Sequence, residues 1–208
     1  MNKEYWENFY SKQNAELKPS LFARFVVENF AQGKKNLIEL GCGNGRDAIF
    51  FANEGFSVSA IDQCEGEIEF LKSKYKNLPD IDFLCDDFTK LKDSEKFDII
   101  YSRFTLHSIT ADCEKRLLPW VYKNLAVGGF FCVEVRGKKN EIYQKGEPVE
   151  GEKDAFIYND HFRRFLDFDE LKTSLSALGF QIEYADEKKG FAPFKGDDET
   201  YIRVIAKK

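Results

Sequence analysis

The feature that most constrains the fold is an apolar segment that runs directly into three alternating glycines and then into a helical pattern. The apolar segment is Asn36–Leu40, and the glycines that follow are Gly41, Gly43 and Gly45. Glycine lets a chain turn sharply and approach a ligand closely, because it carries no Cβ. The segment therefore predicts a strand, a ligand-binding turn and a helix in direct succession.

Further apolar runs alternate with helix-length segments along the rest of the chain. This alternation predicts an α/β fold in which helices cover both faces of a mostly parallel sheet. Pro119 is expected to kink or restart the helix that contains it. The predicted strands are Asn36–Leu40, Ser57–Ile61, Ile81–Leu84, Phe97–Tyr101, Phe130–Val135, Gln181–Ala185 and Tyr201–Ala206, and the predicted helices are Arg46–Glu54, Glu67–Lys74, Asp112–Asn124 and Asp169–Leu178.

Length and composition restrict the classes of protein. A chain of 208 residues lies within the usual size of one domain, so residues 1–208 are expected to form a single domain. The net charge of -5 and the absence of any long basic run argue against nucleic acid as a partner. No apolar run approaches the roughly 20 residues that span a bilayer, which predicts a cytoplasmic protein with no membrane partner. The five cysteines are widely spaced and form no C-x-x-C pair, so no metal site is expected.

Two residues beside the glycines bear on the ligand. A dinucleotide fingerprint requires a third glycine at position 46, where this chain has Arg46. This argues against a nicotinamide-dependent oxidoreductase. Glu39 is an acid in a strand that is otherwise suited to burial, and a buried carboxylate needs a cationic or donor partner. A ligand that carries an ammonium group would supply one, and Asp62 ends the next strand where it could accept the hydroxyls of a ribose.

With these residues the chain resembles the class I S-adenosylmethionine-dependent methyltransferases, whose first motif is an acidic residue followed by G-x-G-x-G. The resemblance continues through 85–91, 97–107 and 124–130 in the order of the family's motifs and covers roughly residues 20–206. It implies a Rossmann-like, doubly wound sheet of seven strands, mostly parallel, with an antiparallel last strand. It also implies S-adenosylmethionine as cofactor and S-adenosylhomocysteine as product. The cofactor-binding residues that it implies are Glu39, Gly41, Cys42, Gly43, Asn44, Arg46, Asp62, Gln63, Asp87, Phe88, Ser102 and Arg103.

Methyl transfer from a sulfonium is an in-line displacement, so the protein must align the acceptor and in some cases deprotonate it. The sequence contains two histidines, His107 and His161. His107 follows the fourth strand, where the family places residues beside the methyl group. Both are candidate catalytic and acceptor-binding residues, because His alone has an unperturbed pKa near 6.5. His107 could instead cap the helix that begins near residue 111.

Residues 136–168 are expected to form an acceptor-binding insert or lid, and residues 1–30 a helical cover. The stretch from Arg136 to Asp160 shows no clear period, which indicates a loop. The pair Arg163 and Arg164 suggests an anion site, since guanidinium groups bind carboxylate and phosphate. If this segment is a strand, His161 shares a face with Arg163 and not with Arg164. Tyr10 and Lys195 complete the candidate acceptor-binding residues.

These observations predict a methyltransferase that acts on a small molecule, as a monomer or homodimer. The chain lacks an Asn-Pro-Pro-Tyr-like sequence after the fourth strand, which favours oxygen or sulfur over nitrogen as the target atom. O-methylation of an anionic or sugar-type acceptor is the main expectation, by likeness to phosphonate and sugar O-methyltransferases. The alternatives are S-, Se- or Te-methylation, as in the thiopurine and tellurite-resistance methyltransferases, and a non-catalytic protein that only binds the cofactor.

Overall fold

A computed structural model describes residues 18–93 and 96–208 of the chain. Five α-helices and ten strands are assigned in these residues. The helices are α1 Leu21–Phe30, α2 Arg46–Asn53, α3 Glu65–Lys74, α4 Ala111–Asn124 and α5 Phe168–Ala177. The strands are β1 Asn36–Leu40, β2 Ser57–Asp62, β3 Ile81–Cys85, β4 Phe97–Arg103, β5 Leu125–Val135, β6 Glu147–Pro148, β7 Ala155–Tyr158, β8 His161–Arg164, β9 Gln181–Lys188 and β10 Tyr201–Lys207. Short 3-10 turns occupy Phe88–Lys90 and Leu106–Ser108.

Seven strands form the main sheet in the order β3-β2-β1-β4-β5-β10-β9. The pairs among β1 to β5 are parallel, and β10 runs antiparallel to both of its neighbours. The predicted seven-stranded, mostly parallel sheet with an antiparallel last strand is therefore confirmed. None of the helices in the described part of the chain is long and apolar enough to cross a membrane.

The alternation of side chains along β1 explains why both faces of the sheet are covered. Leu37 packs into the cluster formed with α1, α2 and α3, whereas Ile38 and Leu40 pack into the cluster formed with α4 and α5. Successive residues of a strand point to opposite faces, so an unbroken apolar strand needs helices on both sides. Glu39 lies on the same face as Leu37, and its carboxylate enters an otherwise apolar layer.

The helix does not restart at Pro119, whereas a kink there stays a prediction, and β5 begins earlier than the sequence predicts. Helix α4 continues through Pro119 to Asn124, because the proline removes only one of the helix's backbone donors. Strand β5 begins at Leu125 and includes the predicted turn Gly128–Gly129, where the register with β4 shifts between Phe97 and Ile99. The extra residues are accommodated as an irregularity in the pairing.

The polar segment that follows β5 is not a loop throughout. It contains a three-stranded antiparallel sheet in the order β6-β7-β8. The expectation of a loop or lid from Arg136 to Asp160 missed β6 and β7, because strands of two and four residues are too short to give a readable alternation. This small sheet places His161 and its neighbours next to the turn that contains His107.

Candidate functional site

A cavity of about 530 Å³ lies at the carboxyl ends of the central strands. The chain proceeds from β1 outward to β3 and then returns to place β4 on the other side of β1. Ligands of open α/β sheets bind where the strand order reverses in this way. The cavity is lined by residues from the β1 turn, the segments after β2 and β4, the β6-β7-β8 sheet and the loop before β10.

The glycine turn at one end of the cavity is fixed by backbone hydrogen bonds. The N–H groups of Gly41 and Cys42 both donate to the carbonyl of Ile61 over 2.8 Å. Gly41, Gly43 and Gly45 have φ values of 74°, 53° and 72°, a region that favours glycine. At Gly41 a Cβ would lie 2.5 Å from Cγ2 of Thr105, so any larger residue would force Thr105 or the turn to move.

Two acids stand beside this turn. Asp62 accepts hydrogen bonds from the backbone N–H of Gly43 at 2.9 Å and of Cys64 at 3.0 Å. Glu39 is buried, and its Oε2 has no hydrogen-bond partner within residues 18–93 and 96–208. Burial first, and the nearby carboxylate of Asp47 second, raise the pKa of Glu39 well above its ordinary value. A cationic ligand group at Glu39 would relieve both effects.

Asp47 is a cavity residue that the sequence analysis missed. Its two carboxylate oxygens accept hydrogen bonds from the backbone N–H and the hydroxyl of Ser20, each at 2.7 Å, and from the hydroxyl of Tyr101 at 2.9 Å. Ser20 also caps α1 by accepting from the N–H of Ala23. Asp47 thus ties the entry to α1 to the first turn of α2. An acid in the first turn of a helix usually only complements the helix dipole, so this contact had no recognisable signal in the sequence.

His107 lies at the other end of the cavity, and its tautomer follows from a hydrogen bond. The backbone N–H of Arg136 donates to Nδ1 of His107 over 3.3 Å. A neutral imidazole that accepts at Nδ1 carries its proton on Nε2. Burial and then the charges of Arg136 and Arg163 lower the pKa of His107 well below its ordinary value, so the ring is neutral. His107 does not cap α4, since the side chain of Thr110 does so.

His161, on β8, lines the same end of the cavity and is also buried. Burial first, followed by the charges of Arg163 and Arg136, lowers its pKa to about 3. The charges that lower the pKa of His107 are guanidinium groups and the neighbouring His161. Glu39 at the glycine turn lies beside two further carboxylates, those of Asp47 and Asp62, as well as beside Arg46 and Arg103. The cavity has an acidic end at the glycine turn and a basic end at the histidines.

The adjacent arginines of β8 point to opposite sides of the small sheet. Arg163 lines the cavity and donates to the carbonyl of Tyr158 at 3.0 Å. Arg164 does not line the cavity. Its guanidinium pairs with Glu114 and donates to the carbonyls of Leu106 and Ile109. The acceptor-binding role predicted for Arg164 therefore finds no support in its position, because the alternation of a strand directs it to α4.

Arg136 supplies the second guanidinium at the basic end, and the sequence analysis did not select it. Its NH1 group donates to Oδ1 of Asn140 at 2.8 Å and pairs with Glu199. It lies 5.0 Å from the ring of Tyr201, whose hydroxyl donates to Glu199 at 2.7 Å. Arg136 is the first residue after β5, a position that ends a strand at the edge carrying the site. Its place at the end of a predicted strand could have identified Arg136 as a site residue from the sequence.

Arg103 lines the cavity where β4 ends, and a buried acid holds it. Glu134 is fully buried and accepts from Nε of Arg103 at 2.8 Å and from Nε of Arg203 at 2.6 Å. Arg203 in turn donates to the carbonyl of Phe191 at 2.7 Å. The same network thus holds Arg103 in the wall and fixes the start of the segment that brings Phe194 to the cavity.

The structure brings most of the predicted site residues to one cavity. Those that line it are Glu39, Gly41, Cys42, Asn44, Arg46, Asp62, Gln63, Phe88, Arg103, His107, His161 and Arg163. Those that lie behind or beside the wall are Gly43, Asp87, Ser102, Arg164 and Lys195. The cavity residues that the prediction missed are Lys18, Pro19, Ser20, Leu21, Asp47, Phe104, Thr105, Ser108, Arg136, Ala192, Pro193, Phe194 and Tyr201. Tyr10 lies outside the described residues.

The local contacts of three of these residues explain why they do not line the cavity. Both oxygens of Asp87 are engaged, one by the N–H and hydroxyl of Thr89 and the other by Lys90 at 2.8 Å. The hydroxyl of Ser102 pairs with that of Thr105 at 2.5 Å beneath the wall. Lys195 extends over the ring of Phe194, with its Nζ 5.1 Å from the ring centroid, and Phe194 is the residue that lines the cavity.

The main sheet, its helices and the glycine turn after β1 form a Rossmann-like α/β domain. Residues 37–129 match the family model described as a methyltransferase domain. A methyltransferase described as S-adenosylmethionine-dependent, from Methanosarcina mazei, has the same fold with a TM-score of 0.76 and 19% identity, and the match covers 88% of this chain and 96% of that one. The chain thus shares the fold of that methyltransferase, and just under half of its length matches the methyltransferase-domain model.

Two curated relatives are similar over most of the chain. Malonyl-[acyl-carrier protein] O-methyltransferase 1 of Ilyobacter polytropus is 26% identical in an alignment of 166 positions that covers 77% of this chain and 59% of the relative. A putative methyltransferase of a Geobacillus species is 28% identical in an alignment of 212 positions that covers 98% of this chain and 79% of the relative. The match to the Ilyobacter protein thus spans less than two thirds of that protein's length.

Proposed function

We propose that the protein transfers the methyl group of S-adenosylmethionine to an oxygen of a small anionic acceptor, of the carboxylate or phosphonate class. The observation that carries this proposal is the basic end of the cavity, where two buried, neutral histidines lie with Arg136 and Arg163. The acidic end of the same cavity suits the cofactor. The proposal assigns one ligand to each end.

The acidic end fits S-adenosylmethionine through Glu39. This carboxylate is buried and its Oε2 lacks a partner among the described residues, which is the arrangement that the cofactor's ammonium group would complete. Gly41 and Gly43 have no side chain, so a ligand can approach the backbone of the turn there. When bound, the cofactor supplies the activated methyl group on its sulfonium. The chain's own residues orient it and exclude water.

The basic end favours an anion for an electrostatic reason. The guanidinium groups of Arg136 and Arg163 lower the pKa values of His107 and His161 because they oppose a further positive charge there. The same field stabilises a negative charge at that place. Guanidinium groups also bind carboxylate and phosphonate oxygens in a defined orientation. The two guanidinium groups that disfavour a protonated imidazole therefore favour an anionic acceptor.

The acceptor oxygen is expected to arrive already ionised, because the two histidines are poor bases. Nδ1 of His107 accepts a backbone hydrogen bond and its Nε2 carries a proton, so this nitrogen donates and does not abstract. His161 has a pKa of about 3, far below neutral pH. Alcohol acceptors need a base, whereas a carboxylate or phosphonate needs only alignment with the methyl group. His107 is accordingly proposed to orient the acceptor.

The name of one relative agrees with this class of acceptor. The Ilyobacter protein is named as an O-methyltransferase of a malonyl group on acyl carrier protein. The free end of a malonyl thioester is a carboxylate, so that protein's acceptor would present an ionised oxygen. The identity of the acceptor of the present chain is a separate matter, and we propose only the anionic oxygen.

The test is release of S-adenosylhomocysteine by the purified chain against a panel of carboxylates, phosphonates, phosphorylated sugars, thiols and tellurite. We expect turnover with an oxygen anion and at least a tenfold loss of kcat/KM in Arg163→Ala, since a charge-assisted contact is worth about 1.5–3 kcal/mol. Arg116→Ala is the matched control, because Arg116 is an exposed arginine of α4 paired with Asp112.

Each of the other outcomes identifies an alternative. Turnover of thiols or tellurite alone would replace the proposal with S- or Te-methylation. Tight binding of S-adenosylmethionine without release of product from any acceptor would favour a binding-only protein. Equal kcat/KM values for Arg163→Ala and Arg116→Ala would remove Arg163 from the acceptor site.

A further inference from the structure

Phe104 combines a strained backbone with a position in the cavity wall. Its φ is 61°, in the left-handed region that a bulky side chain rarely adopts. It directly follows β4 and lines the cavity. Backbone strain of this kind persists only when the surrounding structure enforces it, and such strain is concentrated at functional sites.

The surroundings of Phe104 fix both its backbone and its ring. Its N–H donates to the carbonyl of Glu134 at 2.8 Å, and its carbonyl accepts from the hydroxyl of Ser108 at 3.2 Å. The guanidinium carbon of Arg103 lies 4.0 Å from the centre of the ring. The ring of Tyr201 stacks on it at 4.9 Å with an interplanar angle of 30°.

These residues form a continuous wall that joins the two ends of the cavity. We use the name cation–aromatic wall for Arg103, Phe104, Tyr201 and Arg136, all of which line the cavity. Arg103 is among the charges that act on Glu39 at the cofactor end. At the other end, Arg136 lies 5.0 Å from the ring of Tyr201. Phe104 is therefore held in the middle of the wall, between the cofactor end and the acceptor end.

The residues that follow Phe104 contact both the glycine turn and the region of His107. The methyl group of Thr105 faces the turn at Gly41, where a Cβ would come within 2.5 Å of it. The ring of His107 lies 5.7 Å from that of Phe104. A side chain between the glycine turn and His107 limits how far an acceptor can advance toward the cofactor.

We infer that Phe104 is a specificity-determining residue whose ring sets the size of the acceptor that fits against the cofactor. This inference rests on the proposed function, because it takes the basic end as the acceptor's place. The strained backbone directs the ring into the cavity, and the stacking of Arg103 and Tyr201 keeps it from rotating away. An acceptor whose ring is too large for the space beside Phe104 would collide with the Phe104 ring.

The test compares two aryl acids that differ by one fused ring, benzoate and 2-naphthoate, binding to the chain saturated with S-adenosylhomocysteine. We expect Phe104→Gly to shift the affinity ratio at least tenfold toward 2-naphthoate, while the affinity for S-adenosylhomocysteine changes less than twofold. Phe104→Leu keeps the strained backbone and most of the volume, so its ratio should lie between those of the other two proteins. Phe70→Ala is the control, since Phe70 is 52% exposed on α3.

Thermal unfolding separates this role from a purely structural one. Glycine tolerates the left-handed φ, so Phe104→Gly should melt no lower than Phe104→Leu. A ratio within twofold of the parent chain in Phe104→Gly would overturn the inference, as would failure of both acids to bind either protein. A parallel loss of S-adenosylhomocysteine affinity would also overturn it, because Phe104 would then serve the cofactor turn. Failure of the proposed function is a different result, namely no product release from any oxygen anion.

Discussion

The close approach of Thr105 to Gly41 in the glycine turn can be tested by measuring the free energy of unfolding of variants. Replacing it with alanine introduces two separable costs. A left-handed φ of 74° is unfavourable for any residue with a Cβ, by about 1–2 kcal/mol. The new Cβ would also lie 2.5 Å from Cγ2 of Thr105, against an optimum of roughly 3.5–4.0 Å between carbon atoms. Overpacking of this kind costs about 1–3 kcal/mol.

Gly33 provides a control for the first cost alone. Its φ is 73°, almost the same as that of Gly41, but a Cβ there would have no atom within 4 Å. Gly33→Ala should therefore lower the free energy of unfolding by about 1–2 kcal/mol, and Gly41→Ala by about 2–5 kcal/mol. Chemical denaturation followed by circular dichroism measures both values on the same chain.

Thr105→Ser completes a double-mutant cycle, because serine lacks Cγ2 but keeps the hydroxyl that pairs with Ser102. Alone, it should cost about 0.8 kcal/mol for the buried methyl group. Combined with Gly41→Ala, it should recover about 1–3 kcal/mol relative to the sum of the single variants, which is the energy of the collision. Equal losses of unfolding free energy in Gly33→Ala and Gly41→Ala would show that Thr105 does not obstruct a Cβ at Gly41. Strict additivity of Gly41→Ala and Thr105→Ser would show the same.

Three further predictions concern ionisation. Because burial raises the pKa of Glu39, the affinity for S-adenosylmethionine should increase with pH above the ordinary carboxyl range as the carboxylate ionises, and Glu39→Gln should remove this dependence in calorimetry. Because His107 and His161 remain neutral, kcat/KM for the acceptor at saturating cofactor should be flat from pH 5.5 to 8, and a limb with a pKa near 6.5 would point to a histidine base. A histidine with a lowered folded-state pKa loses its stability contribution as the pH falls below about 6.5. His161→Gln should therefore reduce the destabilisation of the folded chain at pH 5.5 by about 1.4 kcal/mol. An unchanged pH dependence of the free energy of unfolding would contradict the buried, neutral state of His161.

The fold was readable from the sequence wherever a strand was buried on both faces. Asn36–Leu40 and Ser57–Asp62 are apolar runs closed by turn residues, and the structure has both as central strands. The short strands of the β6-β7-β8 sheet were not readable, because two to four residues show no period. Pro119 was expected to disturb α4, and the packing of the helix on the sheet outweighs the loss of one donor.

The cofactor end was more predictable than the acceptor end for a related reason. Glu39 and Gly41 belong to one local segment, so spacing along the chain reflects their positions in space. Arg136, Phe104 and Tyr201 come from three distant segments, and only the sheet topology brings them together. The sequence predicts that the two arginines of β8 point to opposite sides if that segment is a strand. It could not decide which of the two faces the cavity.

The proposed reaction moves a methyl group from S-adenosylmethionine to an oxygen that is already ionised. It can be measured with cofactor that carries a tritium-labelled methyl group and with matched pairs of acceptors, each acid beside its neutral primary amide. We expect transfer of label to at least one acid at neutral pH, with its amide at least a hundredfold slower. Transfer of label to the amide and the acid at equal rates, or to neither member of any pair while thiols are labelled, would contradict it.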